Sequence, residues 1–313
     1  MSGRELRMAV VGVGHLGRHH VRLLAAMDGV TLTGVVDTNE ARAAEIAAGA
    51  GTTAYTSWRE MVGAVDAVAI AVPTEAHLEV ALGFIEAGVH VLVEKPLARS
   101  VAEADAMIAA AAARGVRLAV GHTERFNPAV TAARRLLSQP RFIEVHRLGT
   151  FPERSLDIDV VFDLMIHDLD LLLSIVAEPV VRVEAVGVPV LTPRIDIANV
   201  RLTFAGGCIA NLTASRISRD RVRKIRFFQP HSYLSIDYAA QEVEHWTLGQ
   251  GPSGTPAIQG GKLDVTKDEP LRCELEDFVQ AVRDRRPPRV TGEQGRDALR
   301  LATTIVERMH HAR

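Results

Sequence analysis

The sequence has few of the features that mark secreted, membrane-bound or nucleic-acid-binding proteins. Its 313 residues contain two cysteines, Cys208 and Cys273, so a disulfide scaffold is not expected and a reducing compartment fits. No apolar run approaches the ~18 residues of a membrane helix, and no signal-peptide hydrophobic region precedes the first strand-like segment. The 36 basic and 38 acidic residues give a net charge of −2, without the basic excess that non-specific nucleic-acid binding needs. These absences favour a cytoplasmic protein that binds neither membranes nor nucleic acids.

Aromatic residues make up only 4% of the chain, whereas 47% of the residues are hydrophobic, so the core must consist mostly of Ala, Val, Leu and Ile. The length favours two domains. In residues 1–121, continuous apolar strands alternate with helix-like segments, which predicts an α/β doubly wound parallel sheet. The predicted strands are Leu6–Val11, Thr31–Val36, one within Ala64–Val72, Val89–Val93 and Val116–Val120; the predicted helices are Leu16–Met27, Asn39–Ala48, Glu75–Ala87 and Ser100–Arg114, the last with Ser100 as its cap and Glu103 at the capping-box position.

Residues 122–313 have a different pattern, which predicts an α+β domain with a large, mostly antiparallel open sheet. Segments rich in Val, Ile, Thr and aromatics run from Val180 to Leu248. The other predicted elements are a short helix Asn127–Leu137, a strand Arg141–Phe151, a long helix Asp159–Val176, a mobile Gly/Pro-rich loop Gly249–Gly261, and two closing helices, Glu269–Arg285 and Gly292–His310, which could pack back on the first domain.

A glycine-rich turn, Gly12-Val13-Gly14-His15-Leu16-Gly17, follows the first strand and opens a helix. In the pattern G-x-G-x-x-G, Gly12 allows the tight turn, Gly14 lets a pyrophosphate approach the backbone, and Gly17 lets helix pack on strand. The phosphate would lie at the amino terminus of the helix, where free N–H groups and the helix dipole favour an anion. This context predicts a Rossmann dinucleotide site.

Asp37 stands 20 residues after Gly17, at the end of the next strand, where a carboxylate can accept from both ribose hydroxyls. It would repel a 2′-phosphate, so NAD is favoured over NADP as the cofactor. Arg42 lies nearby in the sequence and leaves this preference open.

Pro73, Thr74 and His77 follow the strand in Ala64–Val72 and are candidates for contacts with the cofactor. Taken alone, Thr74 is better explained as a helix cap. His77 is better explained as a hydrogen-bonded polar residue in the first turn of its helix.

Glu94-Lys95-Pro96 ends a buried strand, at the edge of the sheet where ligands of open α/β folds bind. Glu94 and Lys95 are therefore also candidates for contacts with the cofactor. Most lysines after strands are solvated, but here Glu94 could pair with Lys95 and Pro96 would stiffen the turn. Beside a positive nicotinamide ring the pKa of Lys95 should fall, which suits it to polarise or deprotonate a hydroxyl.

A second polar cluster lies in the predicted helix Asp159–Val176. Asp163, His167 and Asp170 are spaced by four and three residues, which places them on one helical face in an otherwise apolar helix. Such a face favours a functional site; the alternatives are a self-satisfied His–Asp pair in the core and a polar domain interface. A metal site of His167 with Asp163 or Asp170 is weaker, because no third ligand has metal-site spacing. No metal is therefore expected.

Together, Gly12-x-Gly14-x-x-Gly17-x-x-His20, Asp37, Glu94-Lys95-Pro96 and Asp163-x-x-x-His167 resemble the glucose–fructose oxidoreductase/inositol dehydrogenase (Gfo/Idh/MocA) family over nearly the whole chain. The resemblance implies an NAD(P)-dependent oxidoreductase with Lys95, Asp163 and His167 as its catalytic group. It also implies a homodimer or homotetramer that forms through the open sheet of the second domain. The chain departs from the family at Met165, where glycine is common.

Three further segments are similar to a subgroup of that family, the bacterial UDP-N-acetylglucosamine 3-dehydrogenases. They are 121–128, 163–170 and 214–218. The similarity implies oxidation of the C3 hydroxyl of a UDP-sugar, and a diphosphate clamp is one use for the arginines in and near these segments. The predicted substrate-binding residues are Lys95, Arg125, Asn127, Arg154, Asp163, His167 and Arg216, with Lys224 as a further candidate for the clamp.

Two alternatives remain open. One is the same chemistry on a free sugar, a cyclitol or a keto compound reduced by NADPH. The other is a non-catalytic NAD-binding sensor, which would have no need of Lys95, Asp163 and His167 together.

Overall fold

The computed structural model describes residues 5–151, 156–251 and 255–311. The strands are β1 Leu6–Val11, β2 Val30–Val36, β3 Thr53–Tyr55, β4 Ala67–Ile70, β5 His90–Glu94, β6 Leu118–Gly121, β7 Phe142–Leu148, β8 Val180–Val188, β9 Ile197–Phe204, β10 Ile209–Ser215, β11 Val222–Gln229, β12 Ser232–Asp237, β13 Glu242–Gln250 and β14 Pro256–Lys262. The α-helices are α1 Gly17–Ala25, α2 Glu40–Ala50, α3 His77–Glu86, α4 Val101–Arg114, α5 Pro128–Arg134, α6 Ile166–Ile175, α7 Pro270–Arg283 and α8 Gly292–His311.

The chain divides into two compact units. The first unit is Met1–Thr123 with Leu271–Leu299, and the second unit is Glu124–Pro270 with Arg300–Arg313. The first break in the chain falls close to the sequence-based boundary after residue 121. Residues 271–299, however, group with the first unit, so the second unit is not the contiguous segment 122–313.

The first unit contains a six-stranded parallel sheet in the order β3-β2-β1-β4-β5-β6. This order confirms the predicted Rossmann sheet and places the reversal of strand order between β1 and β4, where ligands of such sheets bind. Helix α7 contributes Leu271, Leu275 and Phe278 to the same hydrophobic core as Met8 and Val10 of β1.

The ends of helix α4 are close to those predicted from the sequence. The Ser100 side chain caps α4 by accepting from the amide of Glu103 at 3.2 Å, and Gly115 ends the helix at φ +66°. Glu103 accepts instead from the amide of Arg99, one residue before the cap, at 3.1 Å. The short strand β3 was not predicted, because three residues carry too little pattern to be recognised.

The predicted helix Asp159–Val176 is two elements. Residues Val161–Met165 form a π-helical turn, and α6 continues from Ile166. A π turn adds a residue to the helical repeat, so side-chain positions deduced from 3.6 residues per turn do not carry across it.

The second unit contains an eight-stranded sheet in the order β14-β13-β12-β11-β7-β10-β9-β8. Neighbouring strands are antiparallel except for the parallel pair β7 and β10, which confirms a large, mostly antiparallel sheet. One face is buried; Ile143, Val145, Val200 and Leu212 are among its residues.

The prediction of a loop at Gly249–Gly261 is wrong for most of that segment. Residues 249–250 belong to β13 and Pro256–Lys262 form β14 at the edge of the sheet, while residues 252–254 lie outside the described residues. Pro256 is tolerated because it is the first residue of an edge strand. A side chain at Gly260 would collide with the carbonyl of His245, so this glycine allows close approach of the paired strand.

Within the described residues, no helix combines the length and the apolar character needed to cross a membrane.

Candidate functional site

The glycine turn of the first unit has the geometry of a pyrophosphate cradle. Gly12 adopts φ +86°, and a Cβ there would lie 2.7 Å from the main chain of Ala71. A Cβ on Gly17 would collide with the Gly12 carbonyl. A Cβ on Gly14, by contrast, would meet only Nη1 of Arg42, at 4.0 Å. Packing of the protein therefore explains Gly12 and Gly17, whereas the open space at Gly14 fits a bound phosphate group.

Asp37 is held at the end of β2 by the glycine turn itself. Its Oδ2 accepts from the amide of Val13 at 3.1 Å, and its Oδ1 accepts from the amide of Asn39 at 2.9 Å. The guanidinium of Arg42 lies 3.6 Å from the same Oδ2. The carboxylate thus has a fixed orientation next to the turn, with a cation beside it.

A cavity of about 500 Å³ opens beside this turn. Its lining includes Gly12, Gly14, Asp37 and Pro73, all predicted from the sequence, and also Thr38, Thr56, Trp58 and Glu79, which were not. Trp58 lies in a 3₁₀ turn, Trp58–Met61, and its ring packs on Phe84 with centroids 5.6 Å apart. The indole needs the space that Gly83 leaves, since a Cβ there would collide with it. Sequence reasoning missed Trp58 because no periodic pattern or motif includes it.

Other predicted cofactor residues surround the same turn. Leu16 occupies the N-cap position of α1 and packs against the core, while His15 is exposed and stacks edge-on to His19 with centroids 6.0 Å apart. The cap predicted for Thr74 is not formed. Residues Thr74–Ala76 make a 3₁₀ turn, and α3 begins at His77 without a side-chain cap.

His77 is buried and connects two segments of the first unit. Its Nε2 lies 3.0 Å from the carbonyl oxygen of Val72, and its Nδ1 lies 3.1 Å from that of Pro96 and 3.2 Å from that of Leu97. Burial lowers the pKa of His77, and the carbonyl oxygens oppose this only in part. The ring therefore connects the chain that follows β4 to the chain that follows Lys95. These contacts agree with the interpretation of His77 as a hydrogen-bonded polar residue in the first turn of its helix.

Lys95 directly follows β5 and is half-buried, with a cis peptide bond to Pro96. The Glu94 side chain has partners on α1 and on the main chain. Its Oε1 lies 2.8 Å from Nε2 of His20 on α1, and its Oε2 accepts from the backbone amide of Lys95 at 3.3 Å.

In the second unit, Asp163 lies in the π turn and His167 in the first turn of α6, and both are half-buried. The amide of Asp163 donates to the carbonyl of Asp159 at 3.1 Å, and Asp159 in turn accepts from the amide of Ile195 at 2.8 Å. Met165, where the sequence departs from the family, is fully buried at the end of the turn. Asp163 and His167 thus remain partly accessible, and the chain that leads into the π turn is fixed to the segment before β9.

Asp170 belongs to the buried interior rather than to the accessible face of this helix. Its carboxylate lies 3.3 Å from Nη1 of Arg125, and both side chains are almost completely buried. Asn127 is also buried: its Oδ1 accepts from the amide of Ala129 at the start of α5, and its Nδ2 donates to the carbonyl of Tyr238 at 3.1 Å. Arg125 and Asn127, predicted to bind substrate, therefore have partners within the second unit.

A second buried ion pair anchors α6 next to His167. Arg147 on β7 donates to both carboxylate oxygens of Asp168, at 2.6 and 2.9 Å, and to Glu124 at 3.1 Å. Burial raises the pKa of Asp168, and the pairing with Arg147 offsets this only in part. Burial would lower the pKa of Arg147, but Asp168 and Glu124 outweigh it and raise that pKa. Arg147 therefore stays charged among two carboxylates.

Arg216 is 1% exposed and also has partners within the second unit. It donates to Asp196 at 2.8 Å and to the carbonyl of Ile158 at 2.7 Å. A guanidinium in this state is poorly placed to hold a substrate diphosphate, and Arg216 instead ties the chain before the π turn to the Asp196 loop. Lys224 is partly exposed on the open sheet face, 3.4 Å from Asp237, and Arg154 lies outside the described residues.

Among the described residues, no group of three or more His, Cys, Asp or Glu side chains has the arrangement needed to hold a metal ion. The three predicted catalytic residues belong to different units: Lys95 lies in the first unit, and Asp163 and His167 lie in the second.

Comparison with known proteins identifies both halves of the chain. A family model described as "Oxidoreductase family, NAD-binding Rossmann fold" matches residues 6–122. A second model, "GFO/IDH/MocA C-terminal domain", matches residues 131–229.

Individual relatives cover almost the full length. UDP-N-acetylglucosamine 3-dehydrogenase of Acidithiobacillus ferrooxidans is 41% identical over 303 residues, which is 96% of each chain. A solved structure of that dehydrogenase covers 97% of each chain with a TM-score of 0.91 and 40% identity. Myo-inositol 2-dehydrogenase of Thermotoga maritima is 28% identical over 95% of this chain and 94% of its own.

Proposed function

Because this chain belongs to the Gfo/Idh/MocA family of NAD-binding oxidoreductases, we propose that it oxidises a secondary hydroxyl of a nucleotide sugar, the C3 hydroxyl of UDP-N-acetylglucosamine. The observation that carries this substrate is the 41% identity to a UDP-N-acetylglucosamine 3-dehydrogenase, which extends over 96% of both chains. Other relatives are named inositol dehydrogenases, so the substrate is the part that needs a direct test.

The cofactor we propose is NAD. Its pyrophosphate would bind over Gly14, where the structure leaves open space at the start of α1. Its adenosine would occupy the cavity lined by Asp37 and Trp58, with the ribose hydroxyls donating to the Asp37 carboxylate. When bound, the nicotinamide supplies the hydride acceptor. A carboxylate held this firmly by two backbone amides disfavours a 2′-phosphate, although Arg42 lies close enough to lessen that effect.

Lys95, Asp163 and His167 would perform the chemistry of the protein itself. His167 would take the proton of the substrate hydroxyl, while Lys95 would orient the same oxygen and stabilise its developing negative charge. Asp163 would tune the charge on both groups. Arg125, Asn127, Arg154 and Arg216 stay in the proposal as substrate-binding residues by resemblance only. The described partners of Arg125, Asn127 and Arg216 favour a role in holding the site in shape.

We further propose a homodimer or homotetramer that forms through the open face of the eight-stranded sheet. At one end of this face the strand register aligns Phe142, Phe228, Tyr233 and Trp246 in a row across four adjacent strands. Leu248 and Ile258 pair beside that row and are 52% and 78% exposed. An exposed apolar patch of this kind is typical of a protein interface.

Turnover by variants of Lys95 and His167 tests the catalytic assignment. Lys95→Met and His167→Asn each keep the approximate size of the side chain but remove the ionisable group. We expect each to lower kcat for UDP-N-acetylglucosamine oxidation by at least about 100-fold, as loss of a general acid–base group does. NAD should still bind to both variants in a fluorescence titration.

The double variant K95M/H167N shows whether residues from the two units act on one hydroxyl. Two groups that serve the same transition state give strongly non-additive losses. The double variant should therefore be little worse than the poorer single variant. Multiplicative losses would mean that the two residues act independently.

A parallel screen of UDP-N-acetylglucosamine, other UDP-sugars and free polyols, followed at the absorbance of reduced nicotinamide, assigns the substrate. Turnover of myo-inositol or another free polyol without turnover of UDP-sugars would replace the proposed substrate. Tight NAD binding with no turnover of any of them would favour a sensor.

A further inference from the structure

The Glu94 carboxylate connects helix α1 to the main chain at Lys95. Glu94 is buried, and its two oxygens have different partners: Oε1 contacts His20 at 2.8 Å and Oε2 accepts the amide of Lys95 at 3.3 Å. The adjacent strand leaves room for this carboxylate, since a Cβ on Gly121 would lie 2.7 Å from Oε2. The side chain of Glu94 is therefore packed and hydrogen-bonded at the carboxyl end of β5.

The connection crosses the part of the first unit where the dinucleotide is proposed to bind. Strand β4 lies between β1 and β5 in the sheet, and α1 follows the glycine turn after β1 and contacts β4. A bond from His20 on α1 to Glu94 on β5 thus spans β4. It links the helix whose amino terminus would bind the pyrophosphate to the strand that carries the proposed catalytic lysine.

The surroundings of His20 indicate which group donates in the bond between His20 and Glu94. The imidazole is 0% exposed, and no group in the described part of the chain hydrogen-bonds to its Nδ1. A tautomer with its proton on Nε2 donates to the carboxylate and leaves no buried N–H without an acceptor at Nδ1. A donor from α1 and the Lys95 amide therefore share one buried carboxylate, in surroundings where such bonds are stronger than in water.

We propose that His20 and Glu94 are positioning residues for the hydride transfer, and that they couple occupancy of the pyrophosphate site on α1 to the placement of Lys95. This inference rests on the proposed function. It goes beyond that function by giving a task to the buried bond between His20 and Glu94. Its physical basis is that a small misplacement of a reacting group lowers the rate greatly, even when binding is kept.

Three variants separate positioning from packing. His20→Phe fills the buried space without a donor, whereas His20→Gln restores an N–H donor near the position of Nε2. His90→Phe is the matched control, because His90 lies on β5, four residues before Glu94, and its Nδ1 accepts the amide of Arg117 at 2.8 Å. Thermal unfolding of all three reports the cost of each change to the fold.

Positioning by His20 predicts that H20F lowers kcat by about 10-fold or more with the KM for the sugar little changed, while H20Q stays within about 3-fold of wild type. The control H90F should lose stability but retain kcat. Equal losses of kcat in H20F and H20Q, or in H20F and H90F, would overturn the role.

The coupling has a readout that needs no turnover. ADP carries the adenosine and the diphosphate but no nicotinamide, so it can reach α1 without covering Lys95. The rate of reductive methylation of Lys95, followed by mass spectrometry across pH, should change on ADP addition in wild type and H20Q, and this response should disappear in H20F. ADP binding that leaves Lys95 labelling unchanged in wild type would overturn the coupling alone. Failure of ADP to bind to the wild type would instead overturn the proposed cofactor site.

Discussion

At the scale of single residues, Asp37 illustrates how one carboxylate can serve the fold and the cofactor together. Its two oxygens fix the amides of Val13 and Asn39, which shape the glycine turn and the start of α2. The same negative charge would meet the ribose of the cofactor. A change at Asp37 must therefore be judged by both binding and stability.

Replacing Asp37 by Asn removes the charge but keeps one acceptor and the volume. We expect the affinity for NAD to fall by about 10-fold, the worth of a charge-assisted hydrogen bond, and the ratio of NADP to NAD affinity to rise. Titration of both cofactors against D37N, with the exposed Asp28→Asn as the control, measures this. An unchanged affinity ratio would show that Asp37 does not select the cofactor.

Asp196 shows the opposite case, a carboxylate that is used entirely by the fold. Burial would raise its pKa, but the amides of Leu191 and Thr192, the Thr192 hydroxyl and Arg216 outweigh this and hold the pKa well below its usual range. A depressed pKa in the folded state adds stability above the unfolded value of about 3.9, and this stability is lost as the pH falls below it.

The difference in unfolding free energy between wild type and Asp196→Asn should therefore shrink as the pH is lowered from about 5 to about 3. Urea unfolding of both proteins at a series of pH values measures the difference. A gap that stays constant across this range would show that the ionised form of Asp196 is not favoured by folding.

At this scale, the sequence predicts which residues of a short segment lie together better than it predicts the partners of buried charges. The glycine turn and Asp37 could be found because their spacing is fixed by a short strand–turn–helix unit. Arg125 and Arg216 were assigned to a substrate diphosphate because arginine suits it, yet their carboxylate partners, Asp170 and Asp196, lie 45 and 20 residues away in the chain. Which acid neutralises a buried arginine depends on tertiary packing, which residue spacing does not encode.

At the scale of elements, helix α6 is fixed by two buried ion pairs close to His167 in the sequence. Asp168 and Asp170 are both buried, and they pair with arginines from β7 and from the 3₁₀ turn Thr123–Phe126. These two pairs set the rotation of α6 about its axis. The rotation in turn determines which side His167 presents.

Removal of Arg147 should be far more harmful than removal of the whole pair. Arg147→Met leaves the buried Asp168 and the partly buried Glu124 without their cation, so it should destabilise the fold by about 3–5 kcal/mol. The double variant R147M/D168L should cost less than the sum of R147M and D168L, because the uncompensated charge at position 168 is gone. Urea unfolding gives the cycle; additive costs would mean that the pair contributes no coupling.

Element types were predictable wherever the hydrophobic period was long, as in α4 or in the buried strands of the first unit. The π turn was not, because the spacing of Asp163, His167 and Asp170 matches an ordinary helix equally well. Edge strand β14 was missed because its glycines and proline have the composition of a loop. Its strand conformation comes from pairing with β13, which composition does not reveal.

At the scale of the whole molecule, the open face of the eight-stranded sheet is the surface on which assembly would depend. Leu248→Asp introduces a charge into the exposed apolar group beside Trp246, so we expect a smaller assembly and little change in the fold of the subunit. Sedimentation velocity over a range of concentrations measures this. Val62→Asp, which adds the same charge at an exposed apolar residue of the first unit, is the control. An assembly of the same size in L248D and wild type would exclude this face as the interface.

Helix α7 makes folding of the first unit depend on the order in which the chain is synthesised. This helix supplies Leu271, Leu275, Phe278, Val279 and Val282 to the core of the first unit, yet it is encoded after nearly the whole of the second. On the ribosome, the amino-terminal sheet must therefore wait for about 150 further residues before the apolar surface that α7 covers is closed, an interval of roughly 7–30 s at ordinary rates of elongation. A slowly translated or truncated messenger RNA would prolong that exposure, and the nascent chain, rather than the finished protein, would be the species most in need of a chaperone.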